Sequence, residues 1–252
     1  MKDAADLTFP DATRTRAGAR WFDSLSFRLF GLTILAILVV EAFIFVPSAT
    51  GQRNDWLTVS GGKIGIETGI GHQLGDALDE PVLILKSSIG NRSLGWDLLP
   101  PGSPRHEVET TDKKTGKKIT LVTPAHKDEV RYPSWTKGEV PDPPKHNWHA
   151  GLQYLGDVAR AKDVLKDLGK YYPDASEYEV AGFLWWQGDK DRYNAAHSAM
   201  YGKNLHQLFK ALRKEFDAPK AKMVVATLGQ TNKETATGNE KLIIDGMFAF
   251  GE

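Results

Sequence analysis

The chain has 252 residues, 41% of them apolar and 25% charged, a composition that supports a packed core and excludes wholesale disorder. Lys+Arg and Asp+Glu balance at 32 each, without the basic excess expected of a nucleic-acid binder. With no cysteine, disulfides, thiol nucleophiles and thiolate-bound metals are excluded, and the redox compartment stays open.

Residues 29–46, "LFGLTILAILVVEAFIFV", carry one charge, Glu41. As a helix rising about 1.5 Å per residue they span about 27 Å, close to the roughly 30 Å hydrocarbon core of a bilayer. Arg14, Arg16, Arg20 and Arg28 precede the run, against Asp11 and Asp23. That bias predicts a cytoplasmic N-terminus and a periplasmic or extracellular domain. A buried core helix is the other reading, but only Thr33 and Glu41 interrupt the run. "VPSATG" makes a poor cleavage site, so the segment reads as an uncleaved anchor. The expected organisation is a tail over 1–28, a transmembrane helix over 29–46, a polar linker over 47–55 and a folded domain over 56–252.

Within that domain, Ile70, Leu74 and Leu78 recur four apart and predict a short amphipathic helix. "PVLILKSS" is a compact aliphatic run bounded by Pro81 and by Ser and Gly, as in a strand buried on both faces. Residues 103–149 are basic, then Pro-rich, and read as an irregular surface excursion near a site. Leu152, Leu155, Val158, Leu165 and Leu168 then share a helix face. "YEVAGFLWW" reads as a strand. Tyr201, Leu205, Leu208, Leu212 and Phe216 mark a second helix, and "AKMVVATLG" a third apolar strand. Strand–helix–strand–helix–strand predicts an α/β three-layer sandwich with a mainly parallel sheet.

Ligands of such sheets bind beyond the carboxyl ends of the strands. Two strands end there on a glycine beside a side-chain amide: Gly90 with Asn91, and Gln187 with Gly188. A glycine permits close approach to its N–H, and an amide donates two hydrogen bonds without charge. Aimed at one point, they form an oxyanion hole. The competing reading is turns and caps: Asp189 or Asp191 capping the next helix, Asn91 and Ser93 closing a turn.

"GIGHQLGDALDEPVLILKSSIGNRSLGWDLLPP" with "YEVAGFLWWQGDKDR" resembles the sialate O-acetylesterase-type carbohydrate esterases of the SGNH-hydrolase group. The resemblance implies that Gly90 lends its N–H to an oxyanion hole. The second stretch is similar to their "W-x-Q-G-E-x-D" block, which assigns Gln187 and Gly188 to the same hole. Asp189 stands where the family often has Glu, and Asn91 where it often has a second glycine. The implied reaction is removal of acetyl groups from sugars through a serine, a histidine and an acid, without metal or organic cofactor. The implied partner is an acetylated carbohydrate.

The departure is in the reacting groups. The family's nucleophile lies in "G-Q-S-N" after its first strand, whereas the nearest text here is "GQRN", with Arg53 in the serine's place. No Asp-x-x-His occurs in the chain. These features predict an esterase domain lacking its first strand and last helix, with impaired catalysis. The alternatives are a non-catalytic, membrane-anchored glycan-binding or sensor module, or a nonfunctional fusion fragment. The second is suggested because the N-terminal hydrophobic stretch resembles the first membrane segment of some sensor histidine kinases. His146 and His149 form H-x-x-H near Asp142, but in a Pro-rich loop they read as solvated histidines. Ser87 and Ser88 are the serines just before the first glycine turn, but no histidine–acid pair is evident for them and they read as hydroxyls closing a strand.

Overall fold

A computed structural model describes residues 35–41, 65–78, 80–139, 141–142, 144, 146–230 and 232–251, the first of these as backbone only. The chain runs β1 (Leu35–Glu41), α1 (Ile66–Ala77), β2 (Val82–Lys86), β3 (His106–Thr111), β4 (Lys118–Thr123), β5 (Trp135–Thr136), α2 (Leu152–Lys166) and the short α3 (Leu168–Tyr171). Then follow β6 (Glu179–Trp186), a 3-10 turn (Asp191–Tyr193), α4 (Ala195–Glu215), β7 (Lys222–Val225) and α5 (Gly238–Phe250).

Four strands form a parallel sheet in the order β2-β1-β6-β7. The strand at its centre corrects the N-terminal expectation. Leu35–Glu41 is not helical but pairs with β2 on one side and β6 on the other. A run apolar on both faces suits a membrane helix and a central parallel strand equally well, and the length of the run pointed the wrong way. The other residues of the expected membrane segment, 29–34 and 42–46, lie outside those described, as does "GQRN" at 51–54. Among the described residues no helix is long and apolar enough to cross a membrane. In chain order β1 precedes β2 and α5 follows β7.

Strand alternation places helices on both faces of the sheet. Ile84 and Lys86 meet α1, where the Lys86 ammonium pairs with Glu67 at 2.8 Å. Ser87, one residue on, stands beside the Asp157 carboxyl of α2 and so faces the other way. On β6, Phe183 packs against Phe209 of α4 and Phe216 at its C-cap, and the Trp185 indole N–H donates to the Tyr201 hydroxyl at 3.0 Å. Val158 and Leu165 of α2, Leu205 and Leu208 of α4, and Ile243 and Met247 of α5 join these residues in one core. The helical faces expected on α2 and α4 are thus the buried ones.

The expected irregular excursion over 103–149 holds an antiparallel sheet, β3-β4-β5. β3 alternates half-buried and exposed residues, the period-two pattern hidden in "HEVETT". Its hairpin is closed by Asp112, whose Oδ1 accepts from the N–H groups of Lys114 at 2.9 Å and Thr115 at 2.6 Å.

Candidate functional site

The order β2-β1-β6-β7 has its switch point between β1 and β6, the place where open parallel sheets bind ligands. Glu41 lies in register with Trp186, so both strands end together and Gln187 is the first residue beyond them. On the far side of β1, β2 ends at Lys86 and leads into the loop of Gly90 and Asn91. The two sequence blocks therefore meet at one edge of the sheet.

How they meet differs from expectation. Gln187 is 2% exposed, and its Nε2 donates to the Arg92 carbonyl at 2.9 Å and to Asp191 Oδ2 at 2.6 Å. Both amide hydrogens are thereby used. The Gln187 carbonyl accepts from the Tyr201 hydroxyl. Gly188 lies against α5 and Leu228: a Cβ there would sit 2.8 Å from Met247 Cε and 3.1 Å from Ile243 Cγ2. In these contacts Gln187 ties two loops together and Gly188 admits a helix. Gly90 and Asn91 form the turn, with Asn91 exposed at φ 62°, a left-handed conformation that Asn tolerates. Among the described residues, the N–H groups of Gly90 and Asn91 and the Asn91 side-chain amide make no hydrogen bond.

The centre of the tie is Asp191, which with Asp189 was one of two candidates for a helix cap in the sequence. It is fully buried, and accepts from the backbone N–H groups of Leu94 and Gly95, each at 2.8 Å, as well as from Gln187. Burial pushes its carboxyl up, while the nearby His197, the Gln187 amide and the two N–H groups pull it back. His197 Nδ1 lies 3.8 Å from Asp191 Oδ1, and Nε2 lies 2.8 Å from the Pro133 carbonyl. The α4 cap is Asn194: its Oδ1 accepts from Ala196 and His197, and its amide donates to Ser134 at 2.8 Å. The chain leading into β5 is thereby fastened to the carboxyl edge. The signal for Asp191 was present in "QGDKDR", whose last acid stands four residues after Gln187. Its partners, 96 and 97 residues away, were not legible.

Ser93 likewise closes its own turn, its N–H and hydroxyl donating to Asp97 Oδ2 at 2.8 and 3.1 Å. Burial raises the Asp157 carboxyl, and the neighbouring Ser87, Arg160 and Gln153 draw it back down. Among the described residues no serine hydroxyl bonds a histidine. His126, His149 and His206 each use Nδ1 on a backbone carbonyl. His146 is exposed, and among the described residues no group of three or more His, Asp or Glu could hold a metal ion.

A search of curated proteins found no match. A crystal structure of a protein from Arabidopsis thaliana aligns over 87% of this chain and 82% of its own, at 12% identity and a TM-score of 0.47. The family model "Carbohydrate esterase, sialic acid-specific acetylesterase" matches residues 105–245, more than half of the chain. By that match the chain belongs to the sialic acid-specific acetylesterase family of carbohydrate esterases.

Proposed function

We propose that the chain binds acetylated carbohydrate at the carboxyl edge of its parallel sheet, in the manner of an acetyl-ester hydrolase, and that its acyl-transfer chemistry is impaired. The observation that carries the location is the Gly90–Asn91 turn. Among the described residues its N–H groups are unspent, on a loop braced by Asp191 and Gln187. Donors held in place before the reaction are what a tetrahedral oxyanion requires. Gln187 and Gly188 serve the same hole indirectly, by fixing the turn opposite.

Turnover also needs a nucleophile and a proton relay. Arg53 stands in the place of the family's serine, and neither Asp-x-x-His nor, among the described residues, a serine–histidine bond supplies the relay. Acetate release from an aryl acetate by the purified full chain tests this reading. The expected rate is that of buffer alone, while an O-acetylated sugar still binds. Turnover well above buffer would overturn the impairment, and failure to bind any acetylated sugar would overturn the assignment to the carboxyl edge.

A further inference from the structure

The outer side of α4 and α5 carries a charge pattern that the carboxyl edge does not use. The two helices run side by side in the same direction. Asn239 Nδ2 donates to the Arg192 carbonyl at 2.9 Å, a Cβ on Gly246 would lie 3.0 Å from the Gly202 nitrogen, and the His206 and Phe250 rings are 4.9 Å apart. Each helix buries one stripe in the same core, Leu205 and Leu208 from α4, Ile243 and Met247 from α5. Away from that core, Lys203, Lys210 and Lys214 of α4 are exposed. Their i, i+7, i+11 spacing puts them on one face, along about 16 Å of helix. From Ala195 to Lys214 the helix holds no acidic residue, and its final Glu215 is taken by Lys162 at 2.5 Å. Among the described residues none of the three ammonium groups has an ion-pair or hydrogen-bond partner. In a chain whose charges balance at 32 each, this is segregation of charge onto one surface.

The neighbouring α5 adds apolar surface. Leu242 and Phe248 are 45% and 40% exposed, and the Lys233 ammonium lies 4.5 Å from the centre of the Phe248 ring. The acid between them, Asp245, has both oxygens 2.9 Å from Lys241 Nζ. Ammonium groups without a counter-charge suit an anionic partner. Exposed apolar chains beside them suit a partner with an apolar interior. A bilayer with anionic headgroups supplies both, whereas a soluble polyanion supplies only the first. We infer that the outer face of α4 and α5 docks the protein peripherally on an anionic phospholipid surface, with Lys203, Lys210 and Lys214 at the headgroups and Leu242 and Phe248 at the acyl boundary. This docking is independent of the carbohydrate-esterase reading. Asn194, which caps α4, lies at the carboxyl edge, and the lysine stripe begins further along the helix, so docking leaves that edge open.

Cosedimentation of the full chain with phospholipid vesicles tests the docking. Vesicles of equal parts phosphatidylserine and phosphatidylcholine are expected to bind it about tenfold or more tighter than phosphatidylcholine alone. Binding should weaken as salt rises above about 0.15 M. Near an anionic leaflet each lysine contributes about fivefold. Lys203→Gln, Lys210→Gln and Lys214→Gln together should therefore lower the partition by on the order of a hundredfold. The Tm should not change, because all three side chains are exposed. Leu242→Gln with Phe248→Gln should weaken binding to the mixed vesicles several-fold at the same salt. Equal binding to both kinds of vesicle, or full binding by the folded triple variant, would overturn the docking. If the triple variant does not fold, the unmodified chain decides, since binding that does not change with salt would overturn it as well. Binding of soluble polyphosphate, lost in the triple variant, without binding to the mixed vesicles would overturn the bilayer and assign the stripe to a soluble polyanion.

Discussion

At the scale of single residues, the site is organised by a carboxylate that does not reach solvent. Asp191 offers acceptor capacity to three N–H groups, from Leu94, Gly95 and Gln187. Asp191→Asn keeps the shape but turns one carboxylate oxygen into a donor that faces a donor. Loss of charge-assisted bonds at a buried position costs about 3 kcal/mol, and urea unfolding should show it. A loss under about 0.5 kcal/mol would mean that the loops are held elsewhere. Gly95 is the steric counterpart. A Cβ there would lie 2.5 Å from the His197 ring, so Gly95→Ala must displace His197 or the loop. Overpacking of this kind costs about 1–3 kcal/mol. Thermal unfolding with a Tm equal to that of the unmodified chain would contradict the closeness of this contact.

At the scale of elements, what could be read from sequence depended on whether the relevant contacts were local. The α2 and α4 faces were legible because residues such as Leu205, Leu208 and Leu212 repeat at helical spacing whatever the tertiary setting. β1 was not, because its seven residues are embedded in a longer apolar run and only pairing with β2 and β6 identifies them. The inserted sheet was hidden by its basic, polar composition, since one side of β3 faces water. Its anchorage makes a pH prediction. Against the desolvation that would raise it, the Arg105 guanidinium and the N–H groups of Val130 and Ala125 hold the Asp128 carboxyl below its usual range. A carboxyl with a folded pKa below its unfolded value of about 3.9 stabilises the fold above that value. The stabilisation is lost as pH falls through the folded pKa. Asp128→Asn should therefore lower Tm at pH 7 and make little difference near pH 2. Because Arg105 is half exposed, the effect at pH 7 should stay below about 2 kcal/mol. An equal Tm difference at both pH values would show that the carboxylate charge is not what matters.

At the scale of the whole molecule, the family and the meeting of two motifs at the carboxyl edge were legible, but not the contacts of each residue there. "GFLWWQGDKDR" announced a strand ending at a polar turn, and the turn does lie at the switch point of the sheet. It could not announce that the Gln187 amide is consumed by Arg92 and Asp191, since that depends on a loop 95 residues earlier in the chain. The resulting account is of a carbohydrate-esterase scaffold with a braced carboxyl edge, unspent donors at Gly90 and Asn91, and no assembled nucleophile–histidine pair among the described residues. The proposal to be tested is the separation of that scaffold from turnover. The most direct measurement is the initial rate of acetate release from an aryl acetate by the full chain, set beside its Gln187→Ala variant and buffer. The account predicts three indistinguishable rates. Turnover well above buffer in the unmodified chain, falling at least tenfold in Gln187→Ala, would contradict it.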